Sequence, residues 1–196
     1  FKLSKRMISN SCHYFKLDDL LAATNEDIQD YFGLYLETMK RLGSPPHEYQ
    51  FFITMWNLFS PKHLIMPLAV YKNQCIAGGI FFLYKGVIHH AYSCSSKEHL
   101  YLPANDFILW WIIKWGSENG YSDLNLGRTR AEAGNDMFKK QWRGKPTPMF
   151  YYYLFNKSGL QVRQETKYKS LSNIWGKYLP DVVANRVGPW VVKQVG

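Results

Sequence analysis

The sequence predicts a fold of the α/β class, of the α+β type, in which helices flank a mixed and mostly antiparallel sheet. Three observations lead to this prediction: two amphipathic helical segments come first, three strands separated by tight turns follow, and a long helix then leads into a short strand. A strand that follows a helical crossover is expected to lie parallel to an earlier strand. The length of 196 residues suits one domain, or one large domain with an appendage.

The two opening helices are defined by their ends and their apolar faces. Thr24 and Asp27 have the spacing of a capping box at the start of the first helix, and Gly43 supplies its left-handed stop. Two prolines hold the following loop extended. The second helix is predicted from Glu48 to Phe59, with its aromatic side chains buried.

The three strands are predicted over Leu64–Tyr71, Cys75–Tyr84 and Val87–Ser95. Turn residues separate them at Asn73-Gln74 and at Lys85-Gly86. The pair Gly78-Gly79 inside the second strand indicates either a bulge or a close approach of another segment.

The remaining elements alternate between helix and strand. A long helix is predicted from Pro103 to Asn119, because proline fits a first helical turn and Gly120 closes the pattern. The predicted order after it is a strand over Tyr121–Leu126, a short helix over 132–142, a strand over Thr147–Phe155 and a tail that is helical over Tyr168–Tyr178.

Composition limits the classes of partner. Lys and Arg number 24 against 15 Asp and Glu, a net charge of +9 that favours nucleic acid, phosphorylated substrates or anionic headgroups. The cysteines Cys12, Cys75 and Cys94 have no metal-binding spacing, so a reduced, cytoplasmic setting is expected, and Cys75 and Cys94 are expected to be inert core residues. No apolar run reaches the roughly 18 residues that cross a bilayer.

The segment from Asp123 to Thr129, followed by Gly134–Gly144, carries the strongest indication of a ligand site. It predicts a short strand, a sharp exit at Arg128 and then a short helix that presents Phe138, Lys139 and Trp142. Ligands of open α/β sheets bind at the carboxyl ends of strands. A guanidinium placed there can hold a carboxylate or a phosphate in two parallel hydrogen bonds.

Several short motifs in order resemble the FemAB group, the aminoacyltransferases that build peptidoglycan cross-bridges. The motifs are Gly43-Ser-Pro-Pro-His47 with Phe51-Phe52, Ile76-Ala-Gly78, Pro103-Ala-Asn105, Trp111, Leu126-Gly-Arg128, Gly134 through Phe138-Lys139 to Trp142, Leu179-Pro180 and Val183–Pro189. The resemblance covers residues from about 25 to 190. It implies a GNAT acyltransferase fold, of which FemAB proteins carry two halves.

The resemblance also implies a division of the chain. Residues 1–23 are expected to connect to a missing first half, 24–158 to form the GNAT-like domain and 159–196 to form a helical tail. The absence of an initiator methionine suggests a piece of a longer protein. Its setting is expected to be cytoplasmic, with a possible contact at the anionic inner membrane face.

The implied reaction transfers an acyl group, aminoacyl from tRNA in characterised members, to an amine of a cell-envelope or polysaccharide precursor. Ordinary GNAT enzymes cradle the pyrophosphate of acetyl-CoA in a glycine-rich turn before a helix. The corresponding segment, Ser95–Asn105, contains no glycine, so its backbone is less suited to such a nest. An acyl-CoA donor stays open because Lys97 can bind phosphate. A noncatalytic module binding RNA or membrane surfaces is a third alternative.

The predicted cleft lies between the third strand of the meander and the strand after the long helix. Lys139, Tyr92 and the Phe138 backbone are predicted to act on the reacting groups. Substrate contacts are predicted for Arg128, Ser93, Asn105, His47 and Trp142, a donor phosphate contact for Lys97, and no cofactor or metal is expected. His89 and His90 point to opposite faces of a strand, so they cannot easily share a metal. One of them could face the cleft as a base, although ordinary packing is favoured.

Overall fold

In the computed structural model of the protein, residues 24–129, 134–150, 175 and 181–195 are described. Five helices and five strands occur among them. The helices are α1 (Asn25–Leu42), α2 (Tyr49–Phe59), α3 (Ala104–Glu118), α4 (Gly134–Gln141) and α5 (Asp181–Val195), and the strands are β1 (Leu64–Ile65), β2 (Leu68–Tyr71), β3 (Gln74–Tyr84), β4 (Val87–Ser95) and β5 (Asp123–Asn125).

The capping residues predicted at the ends of the helices lie at those ends in the structure. Thr24 and Asp27 form the reciprocal capping box of α1, and Gly43 ends this helix in the left-handed conformation with φ of 66°. Gly120, which follows α3, also has a positive φ, 79°. These ends fix where α1 and α3 lie along the chain.

The sheet has the order β1-β3-β4-β5, and β2 also pairs with β3. All pairings are antiparallel except that of β4 with β5, which is parallel. The predicted α/β class with a mixed, mostly antiparallel sheet is therefore confirmed.

The parallel pairing of β4 with β5 is short. It runs from Val87 opposite Asp123 to His89 opposite Asn125. Beyond that pair β5 ends, whereas β4 continues to Ser95, and the register of β4 against β3 shifts by one residue at Ala91. A bulge bends its strand and increases the local twist, and from His90 to Ser95 β4 does not pair with β5. We call the space beside this unpaired segment the slot.

The core has a layer on each face of the sheet. On one face α1 and α2 bury a cluster of aromatic and aliphatic side chains that includes Tyr31, Tyr35 and Phe52. On the other face α3 packs against Ile65, Phe81 and the remaining apolar strand residues. Cys75 and Cys94 are both buried, and burial raises the pKa of the Cys75 thiol to about 12, which fits inert core residues.

Several boundaries differ from the sequence prediction. The predicted first strand is two strands, because Met66 and Pro67 lie between β1 and β2 and proline donates no ladder hydrogen bond. The strand predicted over Tyr121–Leu126 pairs only over Asp123–Asn125. Residues 147–150 are not in a strand, and the rest of the predicted strand over Thr147–Phe155 lies outside the described residues, as does the helix over Tyr168–Tyr178 apart from Trp175.

The paired glycines of β3 mark a close approach and not a bulge. A Cβ atom on Gly78 would lie 2.7 Å from Cδ2 of Tyr31, so α1 packs directly on the strand at this point. In the tail, α5 packs back on the domain through Gly188, which leaves no room for a side chain beside Pro46. None of the helices within the described ranges is long and apolar enough to cross a membrane.

Candidate active site

A cavity of about 210 Å³ lies where β4 leaves β5. Its wall comes from both central strands, from the start of α3 and from α4. The residues that line it are Gly78, Phe81, His90, Ser93, Asn105, Ile108, Leu109 and Phe138. Three predicted site residues, Ser93, Asn105 and Phe138, are thus brought together on one face of the sheet.

His90 lines this cavity, one residue beyond the last parallel pair. Its ring stacks on Phe81 with centroids 4.5 Å apart and planes 15° apart. Gly127 has φ of 73°, and a Cβ there would lie 3.2 Å from the His90 main-chain oxygen. Burial first, and then the positive charge of Lys139, lower the pKa of His90 to about 4, so the imidazole is neutral at physiological pH.

Lys139 holds the loop that leaves β5. Its Nζ donates hydrogen bonds to the main-chain oxygens of Gly127 at 2.8 Å and Arg128 at 3.0 Å. Burial lowers the pKa of this ammonium, while nearby Asp136 partly offsets the shift. The neighbouring Lys140 instead pairs with Asp136 at 2.7 Å and is exposed. Arg128 and Lys139 therefore lie on the same side of the molecule, at the slot.

The end of α4 is attached to the start of α3. The Trp142 indole Nε1 donates a hydrogen bond to Asp106 Oδ1 at 3.1 Å, and Trp142 and Phe138 both pack on the core layer of α3. Trp142 therefore contributes to the site by placing α4. It is not among the residues that line the cavity, where a substrate contact had been predicted for it.

Tyr92 and His47 lie on the opposite face of the sheet from the cavity. The Tyr92 ring contacts His47, with centroids 6.1 Å apart, and Phe51 at 6.2 Å. His47 stacks on Phe51 at 4.3 Å and donates its main-chain N–H to the Tyr35 hydroxyl at 3.1 Å. Burial raises the pKa of Tyr92 and lowers that of His47. Since successive strand residues alternate between faces, Tyr92 and Ser93 flank β4 from opposite sides.

The loop between β4 and α3 was the place predicted for a donor phosphate at Lys97. Its amides are largely engaged by protein acceptors: Ser96 donates to Ile76 O at 2.8 Å, His99 to Ser96 O at 3.3 Å and Leu102 to His99 O at 2.9 Å. The Lys97 amide donates to a carboxylate, Glu37 Oε1, at 2.8 Å. A pyrophosphate nest needs such amides to converge on the ligand, so this loop fits acetyl-CoA poorly as it stands.

The sequence favours ordinary packing for both histidines and leaves open that one of them faces the cleft; in the structure His90 lines the cavity while its ring stacks on Phe81. The alternation of strand faces indicates that only one of His89 and His90 can face α3, but the pattern alone does not say which. His89 pairs with Phe82, whose side chain packs on the α1 and α2 layer. Across the described part of the chain, no group of three side chains is arranged to hold a metal ion.

A twisted sheet whose parallel strands separate beside a helix start is the architecture of an N-acyltransferase domain. The family described as the acetyltransferase (GNAT) domain matches residues 13–140. The chain therefore belongs to this GNAT family, as the resemblance implied at this coarser level. Among curated proteins no sequence matches.

Solved structures give the same fold. An aminoglycoside N-acetyltransferase AAC(6')-Iy in complex with CoA is similar with a TM-score of 0.56 and 10% identity, covering 69% of this chain and 92% of that one. An aminoglycoside acetyltransferase from an uncultured soil metagenomic sample, in complex with sisomicin, gives 0.56 and 9%, covering 76% and 99%. The ribosomal-protein-S18-alanine N-acetyltransferase of Escherichia coli gives 0.50 and 10%, covering 62% and 73%.

Proposed function

We propose that this domain transfers an aminoacyl group from tRNA to an amine of a cell-envelope precursor, in the slot between β4 and β5. Membership of the GNAT family supports acyl transfer to an amine. The aminoacyl donor and the envelope acceptor rest on the resemblance to the FemAB group. The observation that carries the choice of donor is the Glu37 carboxylate bound to the Lys97 amide.

Glu37 weakens the site that a CoA diphosphate would use. A diphosphate at the Lys97 amide would meet a carboxylate 2.8 Å from that nitrogen, and like charges repel strongly at such a distance. Asp106 places a second carboxylate in the first turn of α3. An aminoacyl-tRNA does not need a diphosphate site at this point, and the net charge of +9 favours a polyanionic donor.

The cavity supplies groups suited to the reaction. The Ser93 hydroxyl and the Asn105 amide are the polar side chains beside His90 in its lining. Each can donate a hydrogen bond to the oxyanion that forms when an amine attacks an ester carbonyl. Lys139 and Arg128 lie at the exit of β5, where cations hold the donor phosphates or an acceptor carboxylate.

Acyl-CoA is the second candidate donor. Pro103 makes no side-chain cap hydrogen bond to α3, so the first main-chain N–H groups of this helix can bind a phosphate.

Two measurements distinguish the donors: the change in thermal unfolding when acetyl-CoA or alanyl-tRNA is added, and the turnover of each donor with a lysine-containing peptide as the acceptor. We expect alanyl-tRNA to be consumed and acetyl-CoA neither to stabilise the chain nor to react. Deacylated tRNA at several salt concentrations measures nonspecific RNA binding.

The variant Glu37→Gln tests the argument about the donor directly. Removing the carboxylate charge is expected to strengthen acetyl-CoA binding relative to wild type, while Glu26→Gln, at an exposed position in the first turn of the same helix, serves as the matched control. Acetyl-CoA turnover by the wild-type chain, together with no consumption of alanyl-tRNA, would reverse the choice of donor. RNA binding without any turnover would favour the noncatalytic module.

A further inference from the structure

We propose that His90 accepts the proton that the acceptor amine loses during acyl transfer. This inference rests on the proposed function, because it names the group that performs one step of that reaction. It does not depend on which of the two donors carries the acyl group.

The position of His90 supports this role. It lines the cavity one residue beyond the last pair of β4 with β5, so its ring is a neighbour of Ser93 and Asn105 in the lining. Phe81 stacks under the ring, and the close approach of Gly127 to the His90 main-chain oxygen fixes the backbone. A ring held by packing from its neighbours can present a nitrogen lone pair in a constant direction.

The other residues around the cavity do not offer an equivalent base. Ser93 and Asn105 are polar but do not accept a proton at neutral pH, and the rest of the described lining is apolar. Lys139 is a cation engaged by two main-chain oxygens. Tyr92 and His47 belong to the aromatic cluster on the opposite face of the sheet.

The electrostatic surroundings keep the imidazole neutral, which is the form that can accept a proton. The neutral lining residues come from β3, β4, α3 and α4, and the charged group that acts on His90 is Lys139 of α4. The burial of the ring and this ammonium both disfavour the imidazolium form and lower the pKa of His90, while a hydrogen bond with the Tyr92 backbone partly offsets them. A developing oxyanion in the cavity would offset that effect, so proton uptake becomes more favourable as the reaction proceeds.

The step balances in atoms and charge. The neutral amine nitrogen forms a bond to the acyl carbon and pushes the carbonyl electron pair onto oxygen. The nitrogen then gives one proton to the free ring nitrogen of His90. Collapse of the intermediate breaks the bond between the acyl carbon and the donor oxygen, or the donor sulfur for a thioester, and the imidazolium returns its proton to that leaving atom.

The test compares two acceptors in the variant His90→Gln, with alanyl-tRNA and acetyl-CoA supplied in parallel. After the ε-amine of a lysine peptide has attacked, its positively charged nitrogen is only weakly acidic, so its proton needs an acceptor on the protein. Hydroxylamine is far less basic, so its nitrogen in the intermediate is more acidic and water can take the proton. We expect the rate with the peptide to fall about 100-fold or more and the rate with hydroxylamine to fall much less.

The ratio of the two rates is independent of how much of the variant is folded. The matched control is His89→Gln, at the adjacent residue on the other face of β4, which is expected to keep the wild-type ratio. Equal losses with both acceptors, or no loss with the peptide, would overturn the role of His90 while leaving acyl transfer intact. A wild-type chain inactive with both donors would overturn the proposed function as well.

Discussion

The ammonium of Lys139 lies 3.0 Å from the main-chain oxygen of Arg128 and donates a hydrogen bond to it. Lys139 comes from α4 and Arg128 from the loop after β5, so this contact joins the two segments that the sequence analysis singled out. A second bond, to Gly127, fixes the residue that lies against His90. Lys139 therefore positions the loop beside the slot and also places a positive charge there.

The first prediction is that Lys139→Met raises the pKa of His90. The positive charge of Lys139 is the second cause of the low His90 pKa, after burial, so its removal should move that pKa upward from about 4. NMR titration of the histidine Cε1–H resonances measures the shift. Lys140→Met, which removes the adjacent exposed ammonium, should leave it unchanged. An identical His90 titration in wild type and Lys139→Met would refute the coupling.

The second prediction concerns acid stability. His90 has a pKa of about 4 in the folded chain against 6.5 unfolded, so the unfolded chain binds more protons between these values. The free energy of unfolding should therefore fall as the pH drops from 6.5 to 4, with an upper limit of about 3.4 kcal/mol for this group. Urea unfolding across that range should show a smaller acid loss in His90→Gln than in His89→Gln. Parallel curves for these two variants would disagree with the burial of a neutral imidazole.

The contrast between local and long-range signals explains what the sequence predicts. The capping box of Thr24 and Asp27 is complete within four consecutive residues, so the start of α1 was readable and is confirmed. The position of His90 depends instead on where pairing with β5 stops and on the bulge at Ala91. Both are set by contacts between residues distant in sequence, which the pattern of this strand does not encode.

The choice between adjacent residues has the same cause. Lys139 and Lys140 are equivalent in the sequence, and only the packing of α4 decides that the first reaches the Gly127 carbonyl while the second pairs with Asp136. Likewise, strand alternation predicts that Tyr92 and Ser93 point to opposite faces of the sheet. Which of the two faces the cavity is decided by the helices that cover each face. Fold class was therefore predictable, and the grouping of side chains was not.

The third prediction tests the contact between α1 and β3. A methyl group in Gly78→Ala would lie 2.7 Å from the Tyr31 ring and 2.8 Å from Leu68, so the core must shift. We expect a loss of about 1–3 kcal/mol in the free energy of unfolding. Gly33→Ala, on the exposed side of α1 with no atom within 4 Å, should instead stabilise the chain by about 0.5–1 kcal/mol. Equal effects in urea denaturation would contradict the packing described for Gly78.

The fourth prediction concerns the link between α1 and the end of β4. The buried Thr38 hydroxyl accepts from Ser95 N at 3.1 Å and donates to Ser95 O at 3.3 Å. Thr38→Val keeps the shape but leaves both main-chain groups without this partner, which should cost about 1–3 kcal/mol. Thr54→Val alters an exposed hydroxyl on α2 and should change stability by less than about 0.5 kcal/mol. Hydrogen exchange at the Ser95 amide provides a local readout, and unchanged protection in Thr38→Val would refute the link.

The fifth prediction isolates the bond between Trp142 and Asp106, which holds α4 against the start of α3. Trp142→Phe also removes apolar contacts, so the single variant cannot measure the bond. A double-mutant cycle with Asp106→Ala, which removes the acceptor oxygen, resolves that ambiguity, and we expect a coupling of about 1 kcal/mol in the free energy of unfolding.

The control cycle pairs Asp106→Ala with Trp111→Phe; Trp111 belongs to the same helix as Asp106, but its ring stacks on Trp115. Its coupling should be near zero, because the indole of Trp111 does not share the carboxylate. If both cycles give the same coupling, the carboxylate acts through general destabilisation of α3. A coupling confined to Trp142 would show that its hydrogen bond to Asp106 helps to hold α4 against α3, in addition to the apolar packing of Trp142 and Phe138.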